Sequence, residues 1–417
     1  MRKIFHTSIF IFFVLSLIVG IYHYKELLNW NNENSTEIDN QETIDISGNS
    51  QDFYAKNIEK ITPIISQKKD NPIINDHFEE IILEENKLIN IPTPENKKYK
   101  QKIEITFLWD VMIGSRVWDA MDKKWQEYVY GWLTDYLSQK DWVVLNLETT
   151  VTTREEKINK AYTFKAKPEH LSWLKWFNEN LYANLANNHI WDFTASWLLD
   201  TMNYLDKYDI KYFWAGKNKP QADSVKIMEI EWVKFWLIWQ TCVNPVSFAA
   251  WENIAGNSRF DKEVLLQEIQ SAKEKNVDLI VYNMHCGKEY SNGPNPTQTD
   301  FARFAIDNWV DLVIWHHPHR YQPVEIYNDS FIFYSLWDTI FDIFRGRRTQ
   351  EGIMANIIIE NKKIIAAEII PTYTQSYGNT VISNEAMAKY VLNELYKISK
   401  KIWDIPEIKD GKIFLAK

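Results

Sequence analysis

Between residues 102 and 345 the chain repeats one pattern, a short apolar run that ends in a carboxylate, an amide or an imidazole. "TFLWD" closes on Asp110, "VVLNLE" on Asn146 and Glu148, and "NLANNH" on Asn187, Asn188 and His189. "VYNMH" closes on His285, and "VIWHHPH" on His316, His317 and His319. Apolar runs of this length read as buried strands. Helical patterns separate several of them, at 195–208, 261–275 and 298–308. Strands alternating with helices predict a layered α/β domain. In such folds the C-terminal ends of the strands gather around one crevice. A single His after a strand is more often a hydrogen-bonded structural residue, and an Asp there is often a helix cap. Five such ends in one chain predict a metal site. Carboxylate and imidazole donors suit Mn, Fe or Zn, as one or two divalent ions. In the last loop His317 and His319 face one ion from the same side, and His316 points away.

Further strand-like runs are "KIEITFL", "LYANLAN", "VKFWLIW" and "SFIFYSL"; residues 353–370 read as a closing hairpin and 384–400 as a surface helix. Ahead of the folded part, Arg2 and Lys3 precede an apolar run from Ile4 to Tyr24 with no clear small-residue cleavage site. At about 1.5 Å per residue the run is just long enough to span a bilayer. The expectation is a signal anchor over 1–25, with the rest exported as a single-pass membrane protein; a cleaved signal peptide is the alternative. Residues 26–100, with "NNENSTEIDNQETIDISGNSQD", lack any sustained period and read as a flexible stalk with short helical pieces around 77–90. The domains are thus the anchor, the stalk, a folded domain over 101–375 and a C-terminal helical tail over 376–417.

The net charge of −9 argues against nucleic acid as a partner. Two cysteines, Cys242 and Cys286, imply no disulfide framework, although a single bridge stays open; Cys286 on its own reads as a small buried residue. The aromatic count is unusual, with 19 Trp against 12 Gly. An average chain of this length has about 7% glycine, roughly 29 residues. UGA is read as glycine in some bacterial codes, and translating it as Trp would give this pattern. The expectation is that most of these tryptophans occupy positions where the backbone favours glycine.

Six motifs in this order resemble the CapA family of poly-γ-glutamate capsule biosynthesis proteins, a branch of the calcineurin-like metallophosphatase fold. They are "WDVMIGSR" (109–116), Asn146-Leu147-Glu148, "ANNHIWD" (186–192), "HCGKEY" (285–290), "WHHPH" (315–319) and "YSLWDTIF" (334–341). The resemblance covers roughly residues 102–345 and implies a layered α/β/β/α sandwich. Trp109, Trp315 and Trp337 stand where the family has Gly, and Trp176, Trp197, Trp214, Trp236 and Trp309 fall at Gly positions by the same comparison; at Trp191 the family varies. Indoles at 109 and 315 would put bulk beside Asp110 and His316 and work against forming the site.

The resemblance also implies roles. Asp110 would bind a first ion with His319, Glu148 would take the bridging place, and Asn188, His285 and His317 would bind a second ion. His189 would act as general acid, oriented by Asp192, with Glu289 orienting His285. Arg116 would meet an anionic substrate, the plain alternative being a surface salt bridge. Where metallophosphatases proper have Asp-x-His, this chain has Met112, which leaves the first ion a thin ligand set. The function implied is a membrane-anchored, outward-facing protein for synthesis, export or attachment of an anionic poly-γ-glutamate-like polymer, with capsule synthetase subunits as partners. The alternatives are a surface metallohydrolase of phosphoesters or γ-glutamyl amides, and a non-catalytic polymer-binding subunit.

Overall fold

The computed structural model describes residues 102–415, apart from 125–126, 156–158, 161, 193, 224–225, 245 and 343–345. The expected anchor and stalk lie outside the described residues. Among those described, no helix is long and apolar enough to cross a membrane.

Two sheets organise the domain. The first contains β1 (Lys102–Val111), β2 (Trp142–Leu147), β3 (Leu181–Asn184) and β4 (Lys211–Phe213), all mutually parallel. The second contains β5 (Lys226–Ile230), β6 (Val233–Thr241), β7 (Leu279–His285), β8 (Leu312–His316), β9 (Val324–Tyr327) and β10 (Ser330–Phe333), in the order β9-β10-β8-β7-β6-β5. Strands β6, β7, β8 and β10 run parallel; β5 and β9 are antiparallel edges. The chain then returns to the first sheet as β11 (Glu351–Glu360) and β12 (Lys363–Ser376), the expected hairpin, with β11 antiparallel to β1.

Alternation along the strands makes the layers. Ile105, Phe107 and Trp109 of β1 and Val144 of β2 share one core cluster with Leu237, Val281 and Ile314 of the second sheet. Their neighbours Leu108, Val143 and Leu145 face the other way, into a cluster with helices α1 (Ser115–Lys124), α2 (Glu127–Leu137) and α3 (Ala195–Lys207). Helices α4 (Lys262–Glu274) and α5 (Pro296–Asp307) pack Leu265, Ile269 and Phe301 into the core of the second sheet. Asp261 caps α4 and Asn295 caps α5, the latter in a reciprocal capping box with Gln298. The result is a mixed α/β domain, layered as expected.

The last segment differs from the expected helical tail. Strands β13 (Asn379–Ile382) and β14 (Lys412–Phe414) both pair with β12, and the helix between them, α6 (Glu385–Lys400), buries Val391 and Leu395. Residues 376–415 therefore help complete the first sheet.

Of the eight tryptophans expected at glycine positions, three have a positive φ, four are buried inside strands or a helix, and Trp176 is exposed with neither feature. Trp214, Trp309 and Trp337 have φ of 65°, 82° and 78°, the region that favours glycine. Trp109, Trp236 and Trp315 lie inside strands and Trp197 inside α3, all fully buried. The indole N–H groups of Trp109, Trp191, Trp236, Trp239 and Trp337 are buried without a hydrogen-bond partner, whereas buried indoles usually find one.

Candidate metal centre

Because β1, β2, β6, β7, β8 and β10 run the same way within their sheets, their C-terminal ends deliver polar side chains to one place. Asp110 is near the end of β1, and Asn146 of β2 donates from Nδ2 to Asp110 Oδ1 at 2.7 Å. The same amide lies 3.3 Å from His285 Nδ1 at the end of β7. His285 Nε2 in turn donates to Asn188 Oδ1 at 2.7 Å and lies 3.7 Å from Glu148 Oε1. The His317 ring centroid is 5.0 Å from that of His285 and 5.7 Å from that of His319. His319 Nδ1 is 3.9 Å from Asp110 Oδ2. The six residues expected to hold metal are thus brought together.

Two groups of ligand atoms, each lying within 4.8 Å of one another, stand out among the described residues: Asp110 with Glu148 and His285, and Asp110 with His319 and Asp338. The carboxylate common to both is Asp110, so the shared place expected for Glu148 falls geometrically to Asp110. Asp338 was not among the expected ligands. It follows β10, whose end reaches the same crevice, and the quoted "YSLWD" was the signal for it.

The electrostatics of this cluster are compatible with a divalent cation. Asp110, Glu148 and Asp338 are buried, and Asp110 Oδ2, both Glu148 oxygens and Asp338 Oδ2 have no hydrogen-bond partner. Burying carboxylates without compensation is costly, and a divalent cation is the compensation that carboxylate and imidazole donors suit. Burial would raise Asp110, but His316, His285 and His319 hold it well below the usual carboxylate range. Burial, then Asp110 and Asp338, drive Glu148 well above that range. Burial pushes Asp338 up to about 7 against the pull of His319. Burial also lowers His285 and takes His317 down to about 3, favouring the neutral imidazole that ligates metals. His319 is the exception: burial would lower it, but Asp338 and Asp110 bring it up to about 9. His317 and His319 both hold positive φ, 93° and 53°, a strained backbone of the kind that collects at functional sites.

His189 lies beside the cluster, with Nε2 3.8 Å from Glu148 Oε1 and Nδ1 donating to Asp192 Oδ2 at 2.7 Å. Asp192 is fixed in turn by the Phe164 N–H at 2.6 Å and by Lys160 Nζ at 2.7 Å. Lys160 also donates to the Asn188 carbonyl at 2.9 Å, and sequence reading did not single it out. The expected His189–Asp192 pair is therefore present as a geometric unit.

Other expectations need correcting. His316 does not point away: it is fully buried between Trp109 and Trp239, at centroid distances of 4.2 and 4.3 Å, with Nδ1 3.7 Å from Asp110 Oδ1. The cluster forms with Trp109 and Trp315 in place, against the expectation that indoles at those two positions would work against it. Glu289 is exposed and its charge acts on His319; the partner of His285 Nδ1 is Asn146. Arg116 is half exposed and tied to Asp342, Nε to Oδ2 at 3.3 Å, in a shallow cleft with Lys123, Lys124 and Tyr377. That is the salt-bridge alternative. The cysteines are bonded to each other, Cys242–Cys286. Parallel pairing sets Thr241 of β6 beside His285 of β7, so the next residue on each strand meets its counterpart. Gly287, just beyond, has φ 132° and sits where a Cβ would press Gln298 and Pro318 at 3.2 Å.

Comparison with known proteins places this geometry. The family model of the bacterial capsule synthesis protein PGA_cap matches residues 104–343. The chain is 27% identical over 316 residues to the capsule biosynthesis protein CapA of Bacillus anthracis, covering 74% of this chain and 76% of that one. It is 28% identical over 327 residues to the PGA biosynthesis protein CapA of Bacillus subtilis (strain 168), covering 77% and 84%. Among solved structures, a putative 5'-nucleotidase from Staphylococcus aureus aligns at a TM-score of 0.40 and 14% identity over 71% of this chain and 58% of that one, a likeness too distant to carry weight. The matched stretch spans more than half of the chain and encloses every residue of the cluster from Asp110 to Asp338, and the chain belongs to the bacterial capsule synthesis protein family.

Proposed function

We propose that this protein serves in the synthesis, export or attachment of a poly-γ-glutamate-like capsule polymer, working outside the cytoplasm from a membrane anchor over 1–25 and through a divalent-metal site. The observation that carries the metal site is the set of buried carboxylate oxygens of Asp110, Glu148 and Asp338 that lack partners, surrounded by imidazoles. The names of the Bacillus relatives support the capsule polymer. The disulfide supports the compartment, since both cysteines of the chain are consumed in it and such bonds persist in oxidising surroundings.

Asp110, Glu148, Asn188, His285, His317 and His319 would hold the ions. Bound there, divalent ions supply Lewis acidity and positive charge for the oxygens of a polymer carboxylate or scissile amide. Burial lowers His189 below its ordinary value even with Asp192 beside it, so its imidazole is poised to exchange a proton at Nε2, the nitrogen that faces Glu148. Asp192 holds the ring through Nδ1, and Lys160 holds Asp192. A second reading, a surface metallohydrolase of phosphoesters or γ-glutamyl amides, draws on the same His189–Asp192 pair. A purely polymer-binding subunit would have no use for it.

The test is genetic and chemical together. In cells lacking the gene, surface-attached polyglutamate should fall, and the wild-type chain should restore it while Asp110→Asn should not. Full restoration by Asp110→Asn would refute a metal-dependent role, and unchanged polymer without the gene would refute the capsule role.

A further inference from the structure

The structure places a carboxylate where the first ion of the site lacks a ligand. The third position of the Asp-x-His pattern is Met112, which is fully buried and accepts the Gly114 N–H on Sδ at 3.2 Å. That thioether is engaged within its own turn, and a soft donor there is a poor match for an oxygen-rich site. Asp338 supplies a carboxylate at the same ion position. Its Oδ1 is 3.0 Å from His319 Nδ1, and Asp110 Oδ2 is 3.9 Å from that same nitrogen. One ligand atom from each of the three residues fits within a 4.8 Å span. The free oxygens of Asp110 and Asp338, both Oδ2, are buried and have no partner.

The segment carrying Asp338 is fastened to β1. The Trp109 N–H donates to Thr339 Oγ1 at 2.8 Å, and the N–H groups of Thr339 and Ile340 reach the Asp110 carbonyl at 3.3 and 3.2 Å. Asp338 is therefore held against Asp110 by backbone, as a ligand should be. A carboxylate serving only to orient His319 would need one oxygen, and the other would be solvated or bonded. Here the second oxygen is buried and unpartnered.

We propose that Asp338 is a direct ligand of the ion held by Asp110 and His319, replacing the donor lost at Met112, so that the protein holds two divalent ions with Asp110 between them. This rests on the metal reading above. It also predicts that the position held by Asp110, His319 and Asp338 prefers hard, carboxylate-seeking ions such as Mn²⁺ over softer ones.

The test is titration of metal-free full-length protein with Mn²⁺ and with Co²⁺, counting equivalents by calorimetry and by native mass spectrometry, on wild type, Asp338→Asn and Asp338→Ala. Wild type should take two equivalents. Asp338→Ala should take one, that of Asp110, Glu148 and His285, and the isosteric Asp338→Asn should keep the fold and weaken only the second equivalent, by about 10-fold or more. Coupled Mn–Mn electron paramagnetic resonance should appear in wild type and vanish in Asp338→Ala. Two equivalents retained in both variants, or both weakened alike, would make Asp338 an orienting residue and overturn the proposal, as would a wild type that takes only one. A wild type that takes none would overturn the metal reading together with it.

Discussion

Glu104 and Asp110 stand near opposite ends of the same strand, and the domain treats their charges in opposite ways. Glu104 is met by Lys102, by Lys140 Nζ at 2.7 Å and by Asn356 Nδ2 at 3.2 Å. Burial would raise its carboxyl, but those two lysines take it down to about 2. Asp110 has no lysine or arginine against it among the described contacts; its company is imidazole, Asn146 and two further carboxylates, Glu148 and Asp338. The domain thus meets one partly buried acid with lysines of its own and sets the strand-end acids among imidazoles and an amide, an environment compatible with a divalent cation from outside. A similar balance holds elsewhere in the core, where buried Glu325 accepts from Arg303 at 2.6 Å and from the Tyr334 hydroxyl at 2.8 Å.

Several changes should break or sharpen this contrast. The largest effect belongs to Asp110→Asn, which removes the carboxylate common to both ligand groups. Metal binding should disappear altogether, while the metal-free protein still folds, with some loss of melting temperature because the imidazoles and Asn146 that hold the Asp110 carboxylate lose their partner. Metal binding retained in Asp110→Asn would mean that Asp110 is a structural acid like Glu104. Next is His189→Ala. Once a substrate is in hand, turnover should drop by about 10²–10⁴-fold with metal content unchanged; a loss that simply tracks unfolding would reduce His189 to a partner of Asp192.

Glu104→Gln should act on the other side of the comparison. Its lowered value means stability that is present above its ordinary value near 4.5 and lost as pH falls toward about 2. The side chain is partly solvated, so screening limits the loss at neutral pH to about 1 kcal/mol, with no change in metal content. Melting curves of the two proteins should converge near pH 2, and a gap that persists there would point to packing in place of charge. The smallest effect is expected from Trp309→Gly. This residue is 71% exposed at φ 82°, with Lys273 over its ring at 4.3 Å. Relief of the left-handed strain exceeds the entropy cost of glycine by about 0.5 kcal/mol. Mass spectra of native peptides covering Trp214, Trp309 and Trp337 should show glycine there if UGA is recoded, and indole masses would end that idea.

How far the residues alone could be read follows from the period of a strand. Apolar runs marked β1, β2, β6, β7 and β8, and the polar residues closing most of them identified the cluster before any geometry was known. Helices α1 and α2 are not marked by an apolar run: "SRVWDAMDKK" is polar overall and buries only Val117, Ala120 and Met121, a one-sided stripe of three residues. His316 was assigned the wrong direction, because which face a strand-end ring takes depends on the opposing sheet and on the two indoles that grip it. Asp338 escaped although "SFIFYSL" leads up to it, because the strand itself ends at Phe333 and the turn that brings Asp338 back to Asp110 is set by contacts with β1. The disulfide depends on register between β6 and β7, which two lone cysteines cannot reveal. Strands β13 and β14 are short and owe their place to pairing with β12, and "NTVI" and "KIF" carry no pattern of their own.

The central claim, that the strand-end acids await a cation, is tested most directly by melting the metal-free full-length protein against increasing Mn²⁺, Fe²⁺ or Zn²⁺ while bound metal is counted. The account predicts at least one ion per chain and a stabilisation of about 2.7 kcal/mol when free metal reaches a hundredfold excess over Kd, both absent in Asp110→Asn. A wild-type chain that binds none of these ions, with a melting point that does not move, would contradict it.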